Sequence, residues 1–254
     1  LSVGSVKGIR GLLKRFIVKG SDNYVAFGTK AKEYLKFLGA NPKNIFTSIN
    51  TVDLEYFRRE VLKLKKDTNL LTKRKKYPKI LFLYVGQLIK RKGIIQILSA
   101  FSILKDDEIG LLIVGNGPEE SKLKNYCKKN NLKNIFFEGF CQQSELPKHY
   151  VLADIFILPS FQEVWGLVLN EALASGLYVL CSRHVGSAYD LIKEGWNGKR
   201  FNPNNINEII NLIKQTKEQI DNIRKIRETI SQYTCRYFGI KESAQAFLEA
   251  IKNV

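Results

Sequence analysis

The feature that most restricts this chain is a set of apolar runs with no polar alternation. They fall at Ile80–Val85, Leu111–Val114, Ile135–Phe137, Ile155–Leu158 and Tyr178–Cys181. A strand with one wet face alternates, so an unbroken run of this length must be covered on both faces. Between the runs lie helical stretches at Gly93–Leu104, Glu119–Lys129, Ser144–Ala153 and Gly166–Ala174. Strand–helix alternation of this kind predicts an α/β fold, a Rossmann-like parallel sheet flanked by helices. Several runs end in glycine, proline or a polar turn, as at Val85-Gly86, Val114-Gly115 and Leu158-Pro159-Ser160. In open parallel sheets ligands bind beyond the carboxyl ends of the strands, so those turns are where a site is expected.

The first part of the chain reads as a partial second α/β lobe. Residues 1–18 have the period of an amphipathic helix, with Val6, Ile9, Leu12, Leu13, Phe16 and Ile17 on one face. Asn23–Phe27 and Ile45–Ile49 are short strand candidates, with a helix between them that Thr29 can cap and Gly39 stops. Asp53 opens a charged helix, and Lys73–Pro78 reads as an exposed linker. The C-terminal stretch 204–254 is mostly helical. No apolar run reaches the roughly 18 residues of a membrane span. Four cysteines without CxxC spacing, and two histidines, predict neither a zinc site nor a disulfide framework, and so a reduced, cytoplasmic setting.

Charge is unevenly placed. Residues 1–80 hold 19 Lys/Arg against 6 Asp/Glu, a net of +13 out of the chain's +17. Such asymmetry suggests an anionic partner: nucleic acid, an anionic membrane surface or a phosphorylated substrate.

The richest segment is Pro159-Ser160-Phe161-Gln162-Glu163-Val164-Trp165-Gly166-Leu167-Val168-Leu169-Asn170-Glu171. A buried strand runs into a short loop and then a helix. Glu163 stands just before the helix and Glu171 about a turn and a half inside it. Carboxylates accept from vicinal hydroxyls, and the helix start offers free N–H groups and partial positive charge. A polyhydroxyl, anionic ligand laid across this junction would meet all three. Gly86-Gln87-Leu88-Ile89-Lys90-Arg91-Lys92-Gly93 places three cations before a helix and suits a diphosphate.

In their order, "YVGQLIKRKG", "LLIVGNGPEESKL", "IFFEGF", "ADIFILPSFQEVWGLVLNEALASG" and "VGSAYDLIKEGWNGKRFNP" resemble the C-terminal half of retaining glycosyltransferases of family 4, which have the GT-B fold. The likeness covers about residues 20–205. It implies a remnant of the acceptor-side domain at 1–50 and a basic linker and helix at 51–78. The nucleotide-sugar domain would then occupy 79–235 and a C-terminal helix 236–254. It implies that Glu163 is the catalytic carboxylate facing the donor sugar and that Glu171 faces the ribose. Backbone around Val164, Trp165, Gly166 and Leu167 would hold sugar and phosphates, and Lys92 the diphosphate. Gly139 and Phe140 would line the base. Gln87 stands where the family usually has arginine, which leaves Lys92 to act with Lys90 or Arg91. Gly186 and Tyr189 match the family's next loop. His149, His184 and Trp196 are expected to be loop or packing residues, and Trp165 a packing residue that also walls the sugar pocket.

The implied reaction is transfer of a sugar from a UDP- or GDP-sugar to a glycan or lipid acceptor. It proceeds with retention, and no metal or other cofactor is expected. A peripheral contact at the inner face of an anionic membrane is the further partner expected, ahead of nucleic acid. Methionine is absent, including at position 1, and the family needs a longer acceptor half. The expectation is therefore a donor-binding half with weak or no turnover by itself. Two alternatives share features of the sequence. One is a GT-B epimerase or phosphorylase, although no lysine for pyridoxal phosphate is identifiable. The other is a nucleic-acid-binding module, although clustered aromatics for base stacking are lacking.

Overall fold

A computed structural model describes residues 8–253. Val6 and the start of the first expected helix lie outside the described residues. The larger sheet contains β3 (Ile80–Val85), β4 (Ile109–Val114), β5 (Ile135–Gly139), β6 (Ile155–Leu158), β7 (Tyr178–Ser182) and β8 (Gly198–Phe201), in the order β5-β4-β3-β6-β7-β8. All the pairings are parallel. Every residue of β3, β4, β6 and β7 is buried, as unbroken apolar runs require. The edge strand β8, Gly-Lys-Arg-Phe, carries two charges and gives no such signal in the sequence.

Helices cover both faces. On one lie α5 (Ile94–Leu104), α6 (Glu120–Lys129) and α10 (Ile206–Glu218). On the other lie α3 (Leu54–Leu64), α4 (Thr68–Arg74), α7 (Leu146–Leu152), α8 (Leu167–Ala174) and α12 (Arg227–Phe238). The expected C-terminal helical region is divided into α10, α11 (Ile220–Lys225), α12 and α13 (Ile240–Lys252).

A second, smaller core lies apart from the first. It is built from Val18, Ala26, Leu38, Ala40 and Ile45. These come from α1 (Ile9–Lys19), β1 (Tyr24–Phe27), α2 (Gly28–Leu38) and β2 (Ile45–Ser48), with β1 and β2 forming a two-stranded parallel sheet. The last helix, α13, crosses back onto this lobe, where Ser48 Oγ donates to the Ser243 carbonyl at 2.9 Å.

Two local expectations change, and one expected apolar face is left uncovered. Thr29 does not cap α2; it lies within the helix, and its hydroxyl donates to Asp190 at 2.7 Å, because a carboxylate is brought to it from the other lobe. The apolar stripe of α1 faces outward: Ile9, Leu12, Leu13, Phe16 and Ile17 are exposed, and the helix packs through Gly11 and Val18. The stretch 73–78 is an exposed linker only at Lys75 and Lys76, and the residues on either side are partly buried. Arg74 ends α4 and donates to Asp154 at 2.9 Å, while Tyr77 packs edge-on to Phe136 and donates to Glu138. Among the described residues no helix is long and apolar enough to cross a membrane.

Asp154 holds these parts together. Its carboxylate accepts from the Leu81 N–H, from Arg74 and from Arg224, each at 2.9 Å. One buried acid thus joins the start of β3 to α4 and α11. Asp154→Ala strands a buried N–H and two guanidinium groups, and should cost about 2–4 kcal/mol. Urea unfolding should show this as a lower midpoint at an unchanged slope.

Candidate active site

The strand order reverses between β3 and β6. From β3 the chain moves outward through β4 to β5, then returns to β6 on the opposite side of β3. The loops that leave β3 and β6 therefore diverge, and a crevice opens between them at the carboxyl end of the sheet. Loop 86–93 forms one wall and loop 159–166 the other.

The two loops clasp at their base. The Phe161 N–H donates to the Arg91 carbonyl at 2.8 Å, and the Arg91 guanidinium donates to the Gln162 carbonyl at 3.0 Å. Gly93 sits so close to Pro159 that a Cβ would overlap the proline carbonyl, so only glycine allows this approach. At the top of the clasp Lys92 Nζ donates to Glu163, and both side chains are largely buried. Arg91 stands 3.5 Å from the same Glu163 oxygen. One carboxylate is thus shared by two cations, which leaves a net positive charge in the crevice.

Val164 is 73% exposed, whereas Trp165 is buried and its indole N–H donates to Asn170 at 3.0 Å. Asn170 in turn donates to the Asn50 carbonyl, so the wall of the crevice is tied to the chain that enters from the smaller lobe. Gly166, with φ 89°, starts α8, and no side chain caps that helix. Its first N–H groups, including that of Leu167, are therefore available to an anion.

Glu171 lies inside α8. It is 5% exposed and accepts from the Tyr150 hydroxyl at 2.8 Å. Burial raises its carboxyl to about 7, opposed by the Tyr150 hydrogen bond. It is not an ordinary surface glutamate, and it does not line the cavity that Glu163 opens onto. That cavity, about 670 Å³, lies between Glu163–Trp165, the loop of His184 and Tyr189, and the smaller lobe at Phe27, Lys30 and Tyr34.

The remaining expected residues form a rim over β3, β4 and β5. The Gly115 N–H donates to the Gly139 carbonyl at 2.7 Å, and the Leu88 N–H to Asn116 at 2.8 Å. Gln87 is exposed, with its carbonyl accepting from the buried Tyr84 hydroxyl. Phe140 projects outward, 64% exposed. His149 is buried, 3.9 Å from both Cys141 and Glu138, and burial lowers its pKa. The carbonyl of His184 accepts from the Glu163 N–H. Trp196 packs edge-on against Tyr233.

Tyr150, Asn170 and Asp190 belong to this constellation; Tyr150 lies outside every motif, and Asn170 and Asp190 lie within motifs that give no sign of what they bond. Their partners are 21, 120 and 161 positions away.

The family model described as glycosyl transferases group 1 matches residues 66–236, which include both walls of the crevice. The chain belongs to this glycosyltransferase family. An Escherichia coli relative, UDP-Gal:alpha-D-GlcNAc-diphosphoundecaprenol alpha-1,3-galactosyltransferase, is 29% identical over 228 residues, covering 86% of this chain and 57% of the relative. The Bacillus anthracis N-acetyl-alpha-D-glucosaminyl L-malate synthase is 28% identical over 199 residues, covering 77% and 50%. The chain thus spans little more than half the length of these relatives. Among solved structures, a Rickettsia africae glycosyltransferase superposes with a TM-score of 0.80 at 20% identity, covering all of this chain and 69% of that one. Anabaena Alr3699/HepE in complex with UDP gives 0.79 at 17% identity, covering 96% and 67%. These likenesses show the GT-B glycosyltransferase fold.

The titration of Glu171 has a consequence for stability. Its ordinary value is 4.5, so between about 4.5 and 7 the folded chain keeps a proton that the unfolded chain has released. Stability from this group is therefore highest below 4.5, falls as pH rises through that window and is flat above it, a loss of roughly 3 kcal/mol. Glu171→Gln keeps an acceptor for Tyr150 and removes the ionisation. It should be more stable than the parent by roughly 1–3 kcal/mol near pH 8.5 and equal to it near pH 4.5. Urea unfolding at the two pH values measures the difference.

Proposed function

We propose that this chain carries the donor-binding half of a retaining, family 4 glycosyltransferase that takes a nucleotide sugar. The observation that carries the reading is the Lys92–Glu163 pair in the crevice between the β3 and β6 loops, with Arg91 on the same carboxylate. A departing diphosphate needs cations, and Lys92 has three N–H donors, enough to hold Glu163 and a phosphate oxygen together. Arg91 supplies the second cation that Gln87 cannot. The uncapped start of α8 adds N–H groups and partial positive charge on the same side. Glu163, oriented by Lys92, accepts from hydroxyls of the donor sugar, and Glu171 from those of the ribose. Gly139 and Phe140, on the rim above β5, line the base.

In the reaction the bond from the anomeric carbon to the diphosphate oxygen breaks, and its electron pair leaves with the nucleoside diphosphate. The acceptor hydroxyl bonds to that carbon on the same face and passes its proton to the departing diphosphate oxygen. The chain's part is to hold the sugar and stabilise the leaving charge. The Anabaena structure is a complex with UDP, which supports the donor class. For the partner side, the exposed apolar stripe of α1, with Arg10, Arg15 and Lys19 beside it, supports a peripheral contact with an anionic membrane face.

Calorimetry with UDP, GDP and their sugars tests the donor reading. At least one should bind. Lys92→Ala should weaken that nucleotide roughly 10- to 100-fold and Arg91→Gln roughly 3- to 10-fold. Gln87→Arg should restore part of the Arg91→Gln loss. Absence of binding to all of them, or indifference to Lys92→Ala, overturns the proposal.

A further inference from the structure

Among the described residues the two lobes are joined in three places. Two are chain crossings, at 49–53 and at 238–240, and they are tied side by side by the Thr51 hydroxyl donating to the Phe238 carbonyl at 2.7 Å. Paired crossings of this kind are where two lobes can hinge. The third junction is not covalent. At the amino end of α2, the Thr29 N–H donates to both Asp190 oxygens, at 3.0 and 3.1 Å, and the Thr29 hydroxyl donates at 2.7 Å. Asp190 belongs to α9 (Ala188–Leu191) of the larger lobe. A helix start is where a carboxylate is held best, so one acid caps a helix of the neighbouring lobe. Lys30, the next residue of α2, lies over the Tyr189 ring at 4.2 Å.

Fit at this junction is close. A Cβ at Gly28 would overlap both the Asp190 carboxylate and the Trp165 indole. The contact also leads directly into the crevice. Asp190 and Leu191 donate their N–H groups to the Ser187 carbonyl at 3.1 and 2.9 Å. Ser187 donates, by its N–H at 3.2 Å and by its hydroxyl, to the Trp165 carbonyl. The Gly186 N–H donates to the Glu163 carbonyl at 3.0 Å, and the Glu163 N–H to the His184 carbonyl at 3.2 Å. An unbroken backbone ladder therefore runs from Asp190 to Glu163.

We propose that Asp190 is a positioning residue: through Thr29 it latches the smaller lobe shut, and through Ser187 and Gly186 it holds the Glu163–Gly166 loop in register. The hinge keeps the lobes together, and the latch sets the angle at which the smaller lobe meets Glu163. Asp190 itself touches no reacting atom. The inference takes its importance from the donor-site reading, but its test needs no ligand. If the nucleotides fail to bind, that reading falls while the latch is still measured.

Amide hydrogen exchange on the whole chain is the test, with Asp190→Ala, Asp190→Asn and Gly28→Ala. The Thr29 N–H has Asp190 as its partner, so its exchange reports the latch directly. Asp190→Ala should speed exchange at Thr29 roughly 10- to 100-fold and also at Glu163, Gly186 and Ser187, while core amides such as Leu111 are unchanged. Asp190→Asn keeps an acceptor and should fall between. Gly28→Ala wedges the junction and should reproduce the pattern with Asp190 intact. In a Trp196→Phe background, Trp165 emission should shift to the red in both alanine variants as the indole becomes wet. Exchange that rises at Thr29 but not at Glu163, Gly186 and Ser187 overturns the positioning role, and unchanged exchange at Thr29 overturns the latch. Should Asp190→Ala fail to fold, Gly28→Ala and Asp190→Asn decide by the same two criteria.

Discussion

The reversal of strand order between β3 and β6 is the constraint on which the rest depends. Crossover connections carry the chain from β3 outward to β5 and then, on its return, to β6. Only at that point do two neighbouring strands send their loops in opposite directions, leaving backbone free to line an opening. The Lys90–Lys92 cluster leaves one strand and Gln162–Glu163 the other, and they meet across the opening. A short clasp, with Gly93 against Pro159, fixes how far apart the two walls stand. The charge arrangement in the crevice is therefore a product of topology first and of side chains second.

Charge elsewhere follows the same rule of serving the sheet. The basic excess of the first 80 residues suggests an anionic partner when counted along the chain. In space three of these cations fasten one element to another. Arg58 pairs with Glu228, Lys73 with Glu138 and Arg74 with Asp154. They fix α3 and α4 to the larger lobe, so much of the region that reads as a linker is a packed layer of that lobe. The cations of α1, by contrast, stand beside an outward apolar stripe. The same local composition thus serves two different purposes, and contacts distant in sequence distinguish them.

How much was legible depends on how local the signal was. Burial on both faces leaves a mark in every residue of a strand, so β3, β6 and β7 read directly as apolar runs. β4 begins two residues earlier than its run, because Ile109 and Gly110 are also buried. β8 was missed because Lys199 and Arg200 can reach past the sheet edge and need not be apolar. Glu163 and Lys92 are legible as candidates because their loops follow strands with a recognisable order, and Glu171 because it stands at a fixed spacing from Glu163 on α8. Tyr150, which holds Glu171, lies on a helix with no distinguishing neighbours. Serine and threonine favour the helix-cap place that the sequence offers Thr29, whereas its hydroxyl has a stronger acceptor in Asp190.

By itself, then, the sequence determined the α/β class, the parallel sheet, its carboxyl-end loops and the identity of the charged groups on them. Those follow from periodicity and burial, which act between near neighbours. Tertiary structure alone decided which charges meet. Lys92 and Glu163 are 71 residues apart, and Thr29 and Asp190 are 161 apart. It also decided that Glu171 lies in a dry site where its proton is held to about pH 7. The reason is physical: ion pairing and desolvation depend on distance and exclusion of water in three dimensions, and neither leaves a period in the chain.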